Sequence, residues 1–185
     1  MADLVHLEIN NMKYLFTGAQ GTGKTTVMNQ LSTSMPTVQG ITRKLIADGI
    51  QVNYAGSSNS QKVIFDAYYE ALNKDTDYIS ERSLIDVLAY TNYLYDNNKC
   101  TYDELAREAL LAEEWYKHNE CMYIYFPIEF DIVYDGVRSM NKTYQKKIDD
   151  YIKQNLNKLN LVYITVHGTV EERVEQISKL IDITG

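Results

Sequence analysis

Apolar positions along the chain follow two alternating rhythms. Short, largely apolar runs at Lys13-Tyr14-Leu15-Phe16-Thr17, Met122 to Phe126 and Leu161 to Val166 have the length and aromatic or β-branched content of buried strands. Thr37 to Gln39 and Thr76 to Ser80 read as two briefer strands. Between the strands the apolar residues recur at helical spacing, as with Val27, Met28 and Leu31 inside 25–34, or Val63, Ile64, Ala67, Tyr68 and Ala71 inside 61–73. Ile41 to Asp48 predicts a short helix closed by Gly49, and residues 142–156 a longer, polar one. Ser83 with Asp86, Thr101 with Glu104, and Thr169 with Glu172 have the three-residue spacing of capping boxes. They predict helices running to about Tyr95, His118 and Leu180. Pro36, the polar run 55–60, Asn97-Asn98-Lys99 and His167-Gly168 punctuate the pattern, and 128–141 reads as irregular. Strands alternating with helices predict an α/β fold with a parallel sheet and helices on both faces. With no repeat, linker or low-complexity tract, residues 1–185 read as one domain.

Directly after the first strand stands Gly18-Ala19-Gln20-Gly21-Thr22-Gly23-Lys24-Thr25, a glycine, four free residues, then Gly-Lys-Thr. A strand before and a helix after give this string the context of a phosphate-binding loop. Its glycines let consecutive N–H groups turn inward as a cradle for phosphate oxygens, reinforced by the start of the helix. Lys24 is placed to bring charge to β and γ phosphates, and the Thr25 hydroxyl to ligate Mg²⁺. The candidate donor-binding residues are Gly18, Ala19, Gln20, Gly21, Thr22, Gly23, Lys24, Thr25 and Thr26.

Ligands of an open parallel sheet gather beyond the C-terminal ends of its strands, and two further ends carry charge. Ser80-Glu81-Arg82-Ser83 sets a carboxylate and a guanidinium side by side where a strand passes into a helix. Glu81 is a candidate to hold Mg²⁺ or to accept a proton from an attacking hydroxyl, and Arg82 to grip a phosphate with two nitrogens. A surface ion pair beside a helix cap is the plainer alternative. The second end leads into 128–143, a candidate lid in which Asp135-Gly136 offers a hinge, and Arg138 and Lys142 form a basic cluster with Lys146 and Lys147 just beyond it. Lys146 and Lys147 suit a solvated helix face, whereas Arg138 is equally a surface residue or a catalytic cation closing over the transferred group. Tyr90 and Tyr93 suit packing, with Tyr90 retained as a candidate to stack on a substrate ring. His6, His118 and His167 lack metal-ligand spacing and are read as structural or surface residues.

Composition then narrows the setting. A net charge of −7 disfavours a broad nucleic-acid-binding face, leaving room only for a narrow basic groove. Cys100 and Cys121 alone form neither a disulfide framework nor a zinc pattern. No signal peptide and no apolar run long enough to span a bilayer are visible, so the expected setting is cytoplasmic, away from membranes.

These residues together resemble the P-loop nucleoside and nucleotide kinase superfamily, and within it the NadR-like AAA domain group, which includes ribosylnicotinamide kinase domains and many phage proteins. The resemblance rests on Gly18 to Thr25, on Ser80 to Asp86, on Asp135-Gly136-Val137-Arg138, and on Val170-Glu171-Glu172-Arg173-Val174. It implies a three-layer sandwich around a five-stranded parallel sheet in the order 2-3-1-4-5 with a small lid. It also implies ATP with Mg²⁺ as donor, with the Val166 to Thr169 turn near adenine. In one place the chain departs from the group. An acid often stands three residues before the arginine that follows strand two, and here that segment is Gly40-Ile41-Thr42-Arg43. A hydroxyl acceptor benefits from a base, while a monophosphate is already an anion and needs mainly cations. The expectation is therefore a phosphotransferase acting on a nucleoside monophosphate or related nucleoside, with Arg43, Arg82 and Tyr90 toward the acceptor and Lys24, Glu81, Arg82 and Arg138 in catalysis. Two alternatives are a kinase of hydroxymethylated pyrimidines in phage DNA and an ATPase or NTP-binding switch. The sequence leaves ATP against GTP and the oligomeric state open, a homodimer included.

Overall fold

The structure, a computed structural model, describes residues 11–52, 56–131 and 140–184. Its central strand β1 (Lys13–Thr17) is buried at every position. On one side β1 pairs in parallel with β3 (Tyr78–Ser80), which pairs in turn with β2 (Thr37–Val38). On the other it pairs with β4 (Cys121–Tyr125), followed by β5 (Tyr163–Thr165). The order is β2-β3-β1-β4-β5, as the resemblance implies, and Lys13 stands opposite both Tyr78 and Cys121.

Because successive side chains of a strand point to opposite faces, the sheet builds two cores. Leu15, Tyr78, Tyr123 and Tyr125 face α3 (Ser58–Leu72), α4 (Leu84–Asp96), α5 (Tyr102–Lys117) and α6 (Lys142–Lys158), with α2 (Ile41–Ala47) at the edge. Tyr14, Phe16, Ile79 and Ile124 face α1 (Lys24–Gln30) and α7 (Val170–Thr184). This is the three-layer α/β arrangement expected from the alternation of elements. Among the described residues no helix is long and apolar enough to cross a membrane.

Helix ends depart from expectation where local hydrogen bonds outcompete apolar spacing. α1 stops at Gln30 rather than near Ser34, because Leu31 turns extended and the Thr33 hydroxyl takes the Met35 N–H. α3 begins at Ser58, inside the run read as loop, because Ser57 and Ser60 form a reciprocal capping box. A serine hydroxyl here does what a longer Glu or Gln usually does.

Between α3, α4 and α5 lies a buried acid outside any strand end. Glu108 is 3% exposed and accepts from the Thr91 hydroxyl at 2.5 Å. Burial, aided by Asp66 and Glu104 and opposed by Thr91 and Arg107, pushes its pKa up to about 7 from 4.5. The folded chain thus holds a proton that the unfolded chain releases between these values, so stability falls as pH rises across that window and levels off above it. The expected loss is on the order of 3 kcal/mol. Urea unfolding of Glu108→Gln at pH 5 and pH 8 is expected to show that slope flattened; an unaltered slope would assign it elsewhere.

Candidate active site

The segments that follow β1, β2 and β3 meet at one cleft of about 1070 Å³, counting its open mouth, whereas the described residues directly after β4, also expected at the site, do not line it. Gln20, Gly21, Thr22, Gly23, Lys24 and Thr25 form one wall, and Thr42, Arg43, Glu81, Arg82 and Tyr90 are among the residues of the others. The sequence-predicted residues therefore converge, with three exceptions. Gly18 and Ala19 lie buried beneath the loop, and Thr26 is exposed on α1 outside the lining. Arg138, with the Asp135-Gly136 hinge, lies outside the described residues.

Gly21 and Gly23 take left-handed φ of 77° and 90°. At Gly18 a Cβ would stand 2.5 Å from the Phe126 carbonyl oxygen, so only glycine lets the loop leave β1 this close to the end of β4. Lys24, 5% exposed, turns its Nζ back to the carbonyls of Gly18 and Ala19 and to the Thr22 hydroxyl at 3.2 Å. Among the described residues nothing accepts from the N–H groups of Gly21, Thr22 and Gly23. Unaccepted N–H groups beside an ammonium are the donor set a polyphosphate requires.

Below the loop, Asp86 was legible only as a helix cap. Its Oδ2 accepts from the Ser83 N–H at 3.1 Å and hydroxyl at 2.7 Å, and its Oδ1 accepts from Gly18 N at 2.9 Å. One fully buried carboxylate thus starts α4 and anchors the first residue of the phosphate loop.

Glu81 sits where β3 ends. Its Oε2 accepts from the Thr25 hydroxyl at 3.1 Å and its Oε1 from Gly40 N at 2.7 Å. Gly40, which lacks the acid often found there, thus contributes its backbone to the carboxylate. Two adjacent hard oxygens, Thr25 Oγ1 and Glu81 Oε2, suit Mg²⁺. Among the described residues no group of three His, Cys, Asp or Glu side chains converges as a self-contained metal site.

Arg82 is half-buried with its guanidinium 5.6 Å from the Tyr90 ring centroid. Burial works against its charge, but Tyr90, Tyr68, Asp86 and Glu81 outweigh that cost and its pKa lies above the ordinary arginine value. Its Nη1 is buried without a hydrogen-bond partner. Tyr90 lines the cleft and donates to Gln20 Oε1 at 3.2 Å, whereas Tyr93 packs edge-on against Tyr144 at 4.7 Å. The pair expected to pack together is split between cleft and core. Tyr68 also lines the cleft, bonded to Thr42 at 3.1 Å, and burial pushes its phenol up to about 12.

The described lysines of the candidate lid face outward: Lys142 pairs with Asp131 at 2.7 Å, and Lys147 lies over Tyr151 at 4.8 Å. His167 is exposed and lies 2.5 Å from Glu129, and His118 bonds the Glu114 carbonyl.

A family model described as AAA domain matches residues 13–173. No curated protein matches the sequence. Among solved structures, deoxyadenosine kinase from M. mycoides, with products dCMP and a flexible dCDP bound, aligns with a TM-score of 0.63 at 12% identity, covering 95% of this chain and 100% of its own. NadR in complex with NR aligns at 0.68 and 14%, covering 94% of this chain and 51% of NadR, so this chain spans about half of that protein. YorR from Bacillus subtilis, in complex with phosphorylated GDP, aligns at 0.60 and 15%, covering 93% and 96%. At these identities the likeness establishes a fold shared with P-loop kinases.

Proposed function

The chain belongs to the AAA-domain family whose model matches residues 13–173, and on that footing we propose an ATP-dependent phosphotransferase acting on a nucleoside monophosphate or a related nucleoside. The observation that carries this reading is Arg82 Nη1, a buried and unpartnered donor on a cleft that the phosphate loop also lines. A buried donor without a partner is costly until an anion meets it. Both Glu81 oxygens are already engaged, by Thr25 and Gly40, which suits a carboxylate that positions a cation better than a free base. An acceptor that is already anionic needs no base.

In this reading the N–H groups of Gly21 to Gly23 hold the donor phosphates, and Lys24 meets the charge that develops between donor and acceptor. Thr25 and Glu81 would hold Mg²⁺, which when bound neutralises phosphate oxygens and polarises the transferring group. Arg82 orients the acceptor phosphate, with Arg43 on the same wall and Tyr90 presenting a ring face. The names of the structural neighbours, deoxyadenosine kinase among them, support an acceptor of this class.

The test is transfer from labelled ATP with Mg²⁺ to a panel of nucleosides, monophosphates and DNA containing hydroxymethylated pyrimidine. Label is expected on a small nucleotide; label released only as phosphate would favour an ATPase switch, and label in DNA the phage-type alternative. Arg82→Ala is expected to lower kcat/KM for the acceptor about 100-fold while ATP affinity stays within about twofold. Equal loss toward both ligands would remove Arg82 from the acceptor side.

A further inference from the structure

The phosphate loop carries four backbone carbonyls that are each held by a side chain, and two of the three holders lie far away in sequence. Gly18 and Ala19 give their carbonyls to Lys24. The Gln20 carbonyl accepts from Gln145 Nε2 at 2.7 Å, and the Thr22 carbonyl accepts from Arg173 Nη1 at 2.7 Å. In a trans peptide unit the C=O of one residue and the N–H of the next point in opposite directions. Tying the Gln20 carbonyl outward therefore aims the Gly21 N–H inward, and tying the Thr22 carbonyl does the same for Gly23. These are two of the N–H groups left without an acceptor among the described residues.

Neither holder is free to drift. Gln145 is 2% exposed, one turn into α6. Arg173 is fully buried, its guanidinium 5.6 Å and 4.6 Å from the ring centroids of Phe126 and Phe130. Its other nitrogens bond the Gly168 carbonyl at 3.0 Å and Glu129 at 2.6 Å. Glu129 also accepts from Gly168 N and pairs with His167; burial opposes its ionisation, and these bonds overcome that and bring its pKa down to about 2. The arginine thus keeps a charged partner throughout the neutral range. Burying an arginine in this way is costly unless every nitrogen is used, and one of them is used on the loop.

We infer that Gln145 and Arg173 are positioning residues that pre-aim the Gly21 and Gly23 N–H groups at the donor's phosphates. This rests on the phosphate-binding reading of the loop. Without the two braces each peptide unit is free to rotate about its flanking bonds, and the glycine that follows each one, Gly21 or Gly23, makes that rotation cheap. A binding site whose donors must first be oriented loses affinity for its anion.

Calorimetric titration of the full chain with magnesium ATP and with magnesium tripolyphosphate tests this, since tripolyphosphate has no base or ribose and leaves only the phosphate and metal contacts. Gln145→Met keeps length and volume but lacks the amide, and is expected to weaken both ligands about tenfold by similar factors, with a modest fall in melting temperature for the unpaired Gln20 carbonyl. Arg173→Lys, which cannot span Thr22, Gly168 and Glu129 at once, is expected to weaken both ligands in the same parallel way at a larger cost in melting temperature, and is the second variant read by the same comparison. A wild-type chain that binds neither ligand would overturn the phosphate reading and the braces with it. A wild type that binds, with folded variants that bind equally well, would overturn the braces alone. So would a loss of ATP affinity that tripolyphosphate does not share.

Discussion

Lys24→Met is expected to lower phosphoryl transfer at least about 1,000-fold, the largest functional effect of any single change in the cleft. Two losses combine in it. The ammonium is the one full charge within the loop, and without it only the partial charges of the loop N–H groups answer the β and γ oxygens. The same Nζ also bonds the Gly18 and Ala19 carbonyls, so its removal loosens the loop before any ligand arrives. ATP affinity is accordingly expected to fall together with kcat, whereas a lysine acting only on the transition state would lower kcat alone. The side chain is 5% exposed and methionine fills most of its volume, so the fold should survive, with a stability loss of about 1–3 kcal/mol for the unpaired carbonyls. Steady-state kinetics beside a thermal melt would check this, and transfer at the wild-type rate would take the loop out of the mechanism.

What the sequence disclosed about this cleft was its chemistry along the chain, and what it withheld was contact across it. The glycines, Lys24 and Thr25 were legible because their function lies in their local spacing. The capping boxes at Ser83, Thr101 and Thr169 were legible for the same reason, and all three form. The strand order came from resemblance, because periodicity cannot say which strand lies beside which. Gln145 touches Gln20 across 125 positions and Arg173 touches Thr22 across 151, and no spacing rule reaches that far. In the sequence Arg173 shows only as part of the Val170 to Val174 helix start, since an arginine buried to 0% exposure is the opposite of what composition suggests. Tyr90 and Tyr93 show a smaller failure. Helical spacing places both on one side of α4, but only the neighbouring Gln20, Arg82 and Tyr144 decide which ring meets the cleft.

Asp86 combines the legible and the hidden parts, and its replacement carries the largest expected effect on stability. Asp86→Asn is expected to cost about 3 kcal/mol, against about 1 kcal/mol for losing the exposed cap at Thr101→Ala. The reason is in the hydrogen-bond count. Aspartate presents acceptors on both oxygens, one to Gly18 N and the other to the N–H and hydroxyl of Ser83. Asparagine keeps one acceptor and turns the other into a donor. Whichever way its amide is placed, an N–H faces the N–H of either Gly18 or Ser83, and at 0% exposure no water can intervene. If the amide keeps Ser83, the phosphate loop loses its anchor and ATP affinity falls more than stability; if it keeps Gly18, α4 loses its start, which carries Arg82 at its threshold, and the acceptor side suffers instead. Urea unfolding gives the total, and paired titrations with ATP and the acceptor apportion it. A variant as stable as Thr101→Ala with both affinities intact would mean that the Asp86 to Gly18 bond holds nothing in place.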